Sequence, residues 1–122
     1  MNYVNRSLEL LCHEIPCTAR IPGVCIGGNG QCSHSNQSRH GKGKSMKAHS
    51  CFIAAICQAC HVEIDSGKNL TREQREDIWN LAHARTLLYL FQTGLVVVAG
   101  EKAVVHKSYQ PIPKIFPRPS KI

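Results

Sequence analysis

Acidic residues are scarce in this chain, and their placement is more telling than their number. Against 15 lysines and arginines stand 8 aspartates and glutamates, which leaves a formal net charge of +7 on 122 residues. No acid occurs between Glu14 and Glu63, whereas Arg20, Arg39, Lys42, Lys44 and Lys47 all lie in that stretch. Such a surface points to an anionic partner, with phosphate as the first expectation. Part of the charge could instead offset a metal-bound thiolate cluster, but five cations exceed what one such cluster requires. Aromatics make up only 6% of the chain, so a single small domain has a thin core and needs a staple. No long apolar run is present. The most apolar stretch, residues 87–99, is interrupted by Gln92 and Gly94, which excludes a membrane span. The opening MNYVNRSLELLCHEIPC has neither the apolar run nor the cleavage pattern of a secretory leader. A cytoplasmic, reducing location is therefore expected, where the seven cysteines suit a metal better than disulfides. Internal repeats are absent. GKGKS lacks both the preceding strand and the glycine that a phosphate-binding loop would need at Ser38, so a nucleotide-triphosphate site is excluded.

What is there reads as a mixed α+β chain. Asn5 to His13 suits a short helix, with Leu8 and Leu11 on one side and Pro16 ending it. CTARIPGVC is a short extended piece and a Pro-Gly turn, followed by a glycine loop, IGGNG, and a short strand, QCSHS. Residues 35–47 are polar and basic, a mobile loop by composition. CFIAAI reads as a buried strand, and CQACHVEID as the first turns of a helix stopped by Gly67. Thr71 and Gln74 form a capping box that opens the longest helix. Its apolar stripe is read as Ile78, Leu81, Leu88 and Phe91, and Gly94 ends it. LVVV and AVVH suggest a terminal β-hairpin, and QPIPKIFPRPSKI an extended Pro-rich basic tail.

Cys57-Gln-Ala-Cys60 is the sharpest local signal, because a C-x-x-C knuckle brings two sulfurs to one tetrahedral ion. It supplies half of a structural Zn²⁺ site. Cys17 and Cys25, which bracket the Pro-Gly turn, are the expected other half, with Cys12 and Cys17 or Cys25 and Cys32 as rival pairs. No βαβ pattern surrounds the knuckle, as a redox C-x-x-C would require. His61 follows the knuckle directly, and Asp65 lies one helical turn later on the same face, where the two can share a divalent ion such as Mg²⁺ or Mn²⁺. His34, in the basic region, is a candidate general base. Such a set suits phosphodiester hydrolysis, with His34 activating water and a cation on His61 stabilising phosphate charge.

The run PCTARIPGVC, then His34, IAAICQACHVEID and ARTLLYLFQTG, resembles the prophage-encoded YbcO-like nucleases of the His-Asn-His, or ββα-metal, superfamily. The resemblance covers about residues 13–95, and IPGVC and CQACHVEID are its most specific pieces. It implies a small zinc-stabilised ββα-metal domain in which Cys17, Cys25, Cys57 and Cys60 hold zinc, His34 is the general base and His61 holds the catalytic ion. Ser33 stands where many members carry an acidic or histidine ligand, and His49, Ser50 and Cys51 surround the place of the middle asparagine. Asp65 or His49 is the alternative ligand.

The expected organisation is thus a lead helix over residues 1–12, a zinc-bound nuclease-like domain over 13–95, and the hairpin and tail over 96–122. The expected activity is metal-dependent endonucleolytic cleavage of DNA, single-stranded or branched forms included, in phage DNA metabolism inside a bacterial host. Arg39, Lys42, Lys44 and Lys47 are expected to hold the backbone, and Arg85 either to join them or to sit as a surface arginine. The competing readings are a non-catalytic zinc-knuckle nucleic-acid-binding protein and a module whose hairpin and tail recruit phage or host recombination proteins.

Overall fold

The computed structural model describes residues 2–103, and its elements pack on both sides of one short hairpin. α1 (Arg6–Leu10) is started by Asn5, whose side chain accepts from the Leu8 amide at 3.0 Å. It continues into a 3₁₀ turn over Leu11–Glu14. β1 (Gln31–His34) pairs antiparallel with β2 (Ile53–Ile56), in the register Gln31 to Ile56 and His34 to Ile53. α2 (Gln58–Ser66) leaves β2 at Cys57, and α3 (Arg72–Gln92) follows a short connection. Among the described residues no helix is long and apolar enough to cross a membrane.

The two faces of the hairpin carry separate cores. Ala54 and Ile56 face Cys17, Cys25, Cys57, Cys60, Ile64, Trp79 and Ala82. Ile53 and Ala55 face Cys12, Ile15 and Leu90. All four residues of β2 are buried, so its uninterrupted apolar run is that of a strand covered on both sides. Among the described residues its outer edge has no strand neighbour, and side chains of Thr18 and α3 satisfy it instead. Thr86 Oγ1 accepts from the Ala55 amide at 3.0 Å. Thr18 donates to the Ala55 carbonyl from its amide at 2.9 Å and from Oγ1 at 2.7 Å. His83 Nδ1 donates to the Ile53 carbonyl at 2.7 Å, which leaves the proton on that nitrogen. Thr18 and Thr86 therefore belong to the core, with His83 half-buried beside them, because an unpaired buried edge would cost more than placing them there.

Several expectations are corrected. The α3 stripe is shifted: Trp79, Ala82, Thr86 and Leu90 are buried, whereas Leu81, Leu88 and Phe91 are 52%, 57% and 50% exposed. The helix presents the face that fits β2, and that face includes a threonine, which does not register in an apolar count. Gly67 does end α2, but at φ −66 rather than in a left-handed conformation. A side chain there would meet the Glu63 carboxylate and carbonyl, so close approach is what requires glycine. Gly94, at φ 75, does supply the left-handed step after α3. The Thr71–Gln74 capping box forms as expected. Residues 95–98 form no strand, and most of the partner segment AVVH lies outside the described residues, as does the Pro-rich tail. Residues 35–47 are more anchored than their composition suggests. Asn2 Nδ2 bonds the Gly41 and Lys47 carbonyls, and His40 bonds Ser35 Oγ at 2.6 Å and stacks on Phe52.

Truncating Leu90 to alanine is expected to cost about 2–5 kcal/mol, and Leu88→Ala to stay within about 0.5 kcal/mol. Urea unfolding of the two variants measures the difference. Equal costs would contradict this assignment of the packed face.

Candidate metal centre and adjoining cleft

Four cysteines from two distant segments converge beside the hairpin. The Pro-Gly turn between Cys17 and Cys25 closes on the Ile21 carbonyl, which accepts from the Val24 and Cys25 amides at 3.1 and 2.9 Å. The second pair comes from the β2–α2 junction, where Cys57 caps α2 and Cys60 occupies its first turn. All four are buried, and their sulfurs lie within 4.8 Å of one another. Cys25 and Cys57 sulfurs are 3.9 Å apart, against about 3.8 Å for neighbouring vertices of a tetrahedron with 2.3 Å zinc–sulfur bonds. The donor set fits a metal ion such as zinc.

The local electrostatics fit it too. The Gly27 amide points at Cys25 Sγ at 3.4 Å, and the positive end of α2 lies at Cys57 and Cys60. Without a cation the crowded thiols must share protons. The hydrogen bond from Cys60 pulls the Cys17 thiol down and the same contact pushes Cys60 up. Burial pushes Cys25 up to about 11, with the Cys17 and Cys57 charges adding to it. A dication removes that conflict by replacing the protons. Arg20, at φ 51, faces the Cys17 and Cys25 charges. One of the five basic residues thus serves the cluster, and the others lie on the 35–47 loop. Cys12 and Cys32, members of the rival pairings, sit in the opposite core.

One turn into α2, His61 Nε2 lies 3.1 Å from Asp65 Oδ2. Asn36 Nδ2 donates to the other oxygen, Asp65 Oδ1, at 2.9 Å, and Gln31 Oε1 lies 3.4 Å from His61 Nδ1. The bond to Asp65 raises the His61 pKa against burial. Burial would raise that of Asp65, but the His61 and Asn36 hydrogen bonds and the His61 and Lys42 charges outweigh it and hold it low. Beside this pair opens a cavity of about 390 Å³ lined by Asn36, Gln37, Ile64, Asp65, Arg72, Arg75, Glu76 and Trp79, with Arg72 paired to Glu76 at 3.5 Å. Asn36 was not foreseen. It lies two residues after His34, and only the fold brings it to Asp65.

The structure does not bring His34 and His61 together. Cross-strand partners share a face, so His34 and Cys32 lie with Ile53 and Ala55, while Gln31 and Ser33 lie with Ile56 and Ala54. His61 touches Gln31 on the second face, whereas His34 Nε2 meets Glu9 Oε2 at 3.2 Å on the first. Ser33 is fully buried and receives the Trp79 indole N–H at 3.2 Å, so it lines no cleft. His49, the alternative ligand, accepts from the Tyr3 amide through Nδ1 at 2.9 Å. Arg85 Nη1 donates to the Thr18 carbonyl at 2.9 Å, which fastens the cysteine turn to α3. Arg39 Nε donates to Gln37 Oε1 at 2.7 Å, and Lys44 and Lys47 are exposed.

Fold and site together define a small α+β protein with a four-cysteine, metal-type cluster. Among solved structures it is similar to a protein from Escherichia coli str. K-12 substr. MG1655 that carries a provisional bacteriophage attribution. The TM-score is 0.53 at 24% identity, over 70% of this chain and 96% of the other. At that identity the likeness shows a shared fold. No protein-family model and no curated protein matches the chain.

Glu9 gives a pH signature. Its carboxylate is held below its ordinary 4.5 by the Ser50 hydrogen bond, then by the His34 bond and the His34 and Arg6 charges, against burial. A depressed carboxylate contributes stability that is present above its unfolded value and lost as pH falls through the folded value. Glu9→Gln is therefore expected to be less stable than the parent at pH 7 and to lose less on acidification below about 4.5. Thermal melts of both proteins across that window test it, and parallel acid limbs would refute it.

Proposed function

We propose that the chain is a zinc-stapled, metal-dependent endonuclease of the ββα-metal kind that cleaves DNA in phage DNA metabolism. The observation that carries this reading is the His61–Asp65 pair, 3.1 Å apart at the edge of a cavity lined by Arg72 and Arg75, with Lys42 acting on Asp65. Cis ligands of an octahedral ion at about 2.1 Å lie about 3.0 Å apart, so an imidazole nitrogen and a carboxylate oxygen so placed fit one divalent ion. Such an ion supplies Lewis acidity toward a phosphodiester and acidifies water near neutral pH.

The chain's own residues have distinct tasks in this reading. Cys17, Cys25, Cys57 and Cys60 fix the start of α2 and with it the spacing of His61 and Asp65. Asn36, by donating to Asp65 Oδ1, holds the carboxylate so that Oδ2 faces His61. Lys42, Arg72 and Arg75 offer positive charge to a phosphate backbone, and contacts of that kind position DNA without reading its sequence. His34 has no part at this cleft. The order hairpin, knuckle, helix and the shared fold with a protein attributed to a bacteriophage support the biological setting. A second reading, DNA binding without cleavage, is favoured by one observation: His34 lies on the other face and Ser33 is buried beneath Trp79, which leaves the cleft a single histidine.

Nicking of supercoiled plasmid with Mg²⁺ or Mn²⁺, beside a chelator control, separates the two. His61→Ala and Asp65→Ala are expected to lose about 100-fold or more, and Asn36→Ala about 10- to 100-fold. His34→Ala is expected to stay within about threefold of the parent, since it lies outside the cleft. Retained DNA binding with no nicking under any ion would establish the second reading. Nicking that survives His61→Ala would remove the first.

A further inference from the structure

The face of the hairpin opposite the cysteine cluster holds a second chemical group, which the proposed cleft does not use. Cys32 Sγ lies 4.0 Å from His34 Nδ1. His34 Nε2 lies 3.2 Å from Glu9 Oε2, and Ser50 Oγ donates to the same oxygen at 2.7 Å while accepting from the Asn5 amide at 2.8 Å. Thiol, imidazole, carboxylate and hydroxyl thus form one row, each fixing the next. A carboxylate on Nε2 holds the proton there and aims the basic Nδ1 at the thiol, the arrangement that activates a nucleophile. Cys12 is buried on the other side, in the apolar cluster against which Cys32 packs. Cys32 itself is only partly buried.

Packing alone does not account for the row. A cysteine that merely fills space needs no partner, yet Glu9 is buried at 9% exposure, and a buried carboxylate is costly unless bonded. Its bonds go to His34 and Ser50, so the carboxylate is in place to orient the imidazole. The Cys12 thiol also donates to Cys32, which favours the Cys32 thiolate and keeps Cys12 protonated. Lys47 and Arg6 act in the same direction on Cys32, and Glu9 against them.

We propose that Cys32 is a hydroperoxide-reactive thiol, activated by His34 and Glu9, with Cys12 as its resolving partner. His34 takes the Cys32 proton, and the thiolate attacks the outer peroxide oxygen. A sulfur–oxygen bond forms, the oxygen–oxygen bond breaks, and the departing oxygen takes the proton from His34, giving a sulfenic acid and an alcohol or water. Cys12 then attacks the Cys32 sulfur, the sulfur–oxygen bond breaks, and the Cys12 proton leaves with the hydroxide as water. Two thiols lose two electrons to one peroxide, and the product is a Cys12–Cys32 disulfide that ties the N-terminal 3₁₀ turn to β1.

The experiment treats the intact, metal-loaded chain with equimolar hydrogen peroxide and follows mass and metal content. Digestion with trypsin and a glutamate-specific protease isolates Cys12 in residues 10–14. Loss of two hydrogen atoms in mass with this peptide joined to Cys32, the metal being retained, is expected. In Cys12→Ser a 1,3-diketone reagent is expected to trap sulfenic acid at Cys32. The exposed Cys51 is an internal reference thiol, and Cys32 is expected to react about tenfold faster or more. His34→Ala and Glu9→Gln, each checked for folding by its melt, are expected to bring Cys32 towards the Cys51 rate. Oxidation that begins at the clustered cysteines with metal release, or a parent Cys32 no faster than Cys51, would overturn the proposal. Neither result bears on plasmid nicking.

Discussion

The grip of four sulfurs from two distant segments is the constraint on which the rest of this fold depends. Cys17 and Cys25 belong to a loop with no regular structure, and Cys57 and Cys60 to the point where a strand becomes a helix. The four thiols lie close enough together to hold one metal ion, the Cys25–Cys57 pair at 3.9 Å, and a chain with so little apolar bulk gains from such a staple. Two consequences follow directly. The first turn of α2 is fixed against the end of β1, which sets His61 beside Gln31 and Asp65 beside Asn36. The loop that carries Cys17 also carries Thr18, which satisfies the open edge of β2 and receives Arg85 from α3.

The two-stranded hairpin acts as a partition. One face holds the thiol cluster, the His61–Asp65 pair and the cavity beside it; the other holds Cys12, Cys32, His34 and Glu9. A period of two along β1 is enough to separate neighbouring residues into different chemistry, so sequence adjacency misleads here. Ser33 and His34 are consecutive, yet one lies under Trp79 and the other against Glu9. The basic residues are divided in a similar way. Arg20 faces the thiols and Lys42 faces Asp65, so one charged stretch serves two sites.

Local signals in the sequence were legible where one segment determines the outcome. The Asn5 helix, both strands, the knuckle helix and the Thr71 capping box all depend on nearest neighbours, and all form. The choice of Cys17 and Cys25 over the rival pairs was legible because a Pro-Gly turn brings chain ends together. What could not be read depends on contacts between segments. The buried face of α3 is chosen by the polar edge of β2, which needs Thr86 and His83, so the stripe of Leu81, Leu88 and Phe91 remained outside. The same holds for Asn36, which only the closed hairpin brings to Asp65. His34 looked catalytic for its residue type and surroundings, whereas strand register decides the face on which it acts. Residues 95–98 form no strand although their composition is β-branched, because such composition alone does not make one, and most of the segment expected to pair with them lies outside the described residues.

X-ray absorption at the zinc edge of the purified protein tests the central claim most directly. The account predicts one zinc per chain, surrounded by four sulfurs at about 2.3 Å and no nitrogen or oxygen ligand. A shell containing nitrogen or oxygen, or a protein that folds cooperatively with no bound metal, would contradict it.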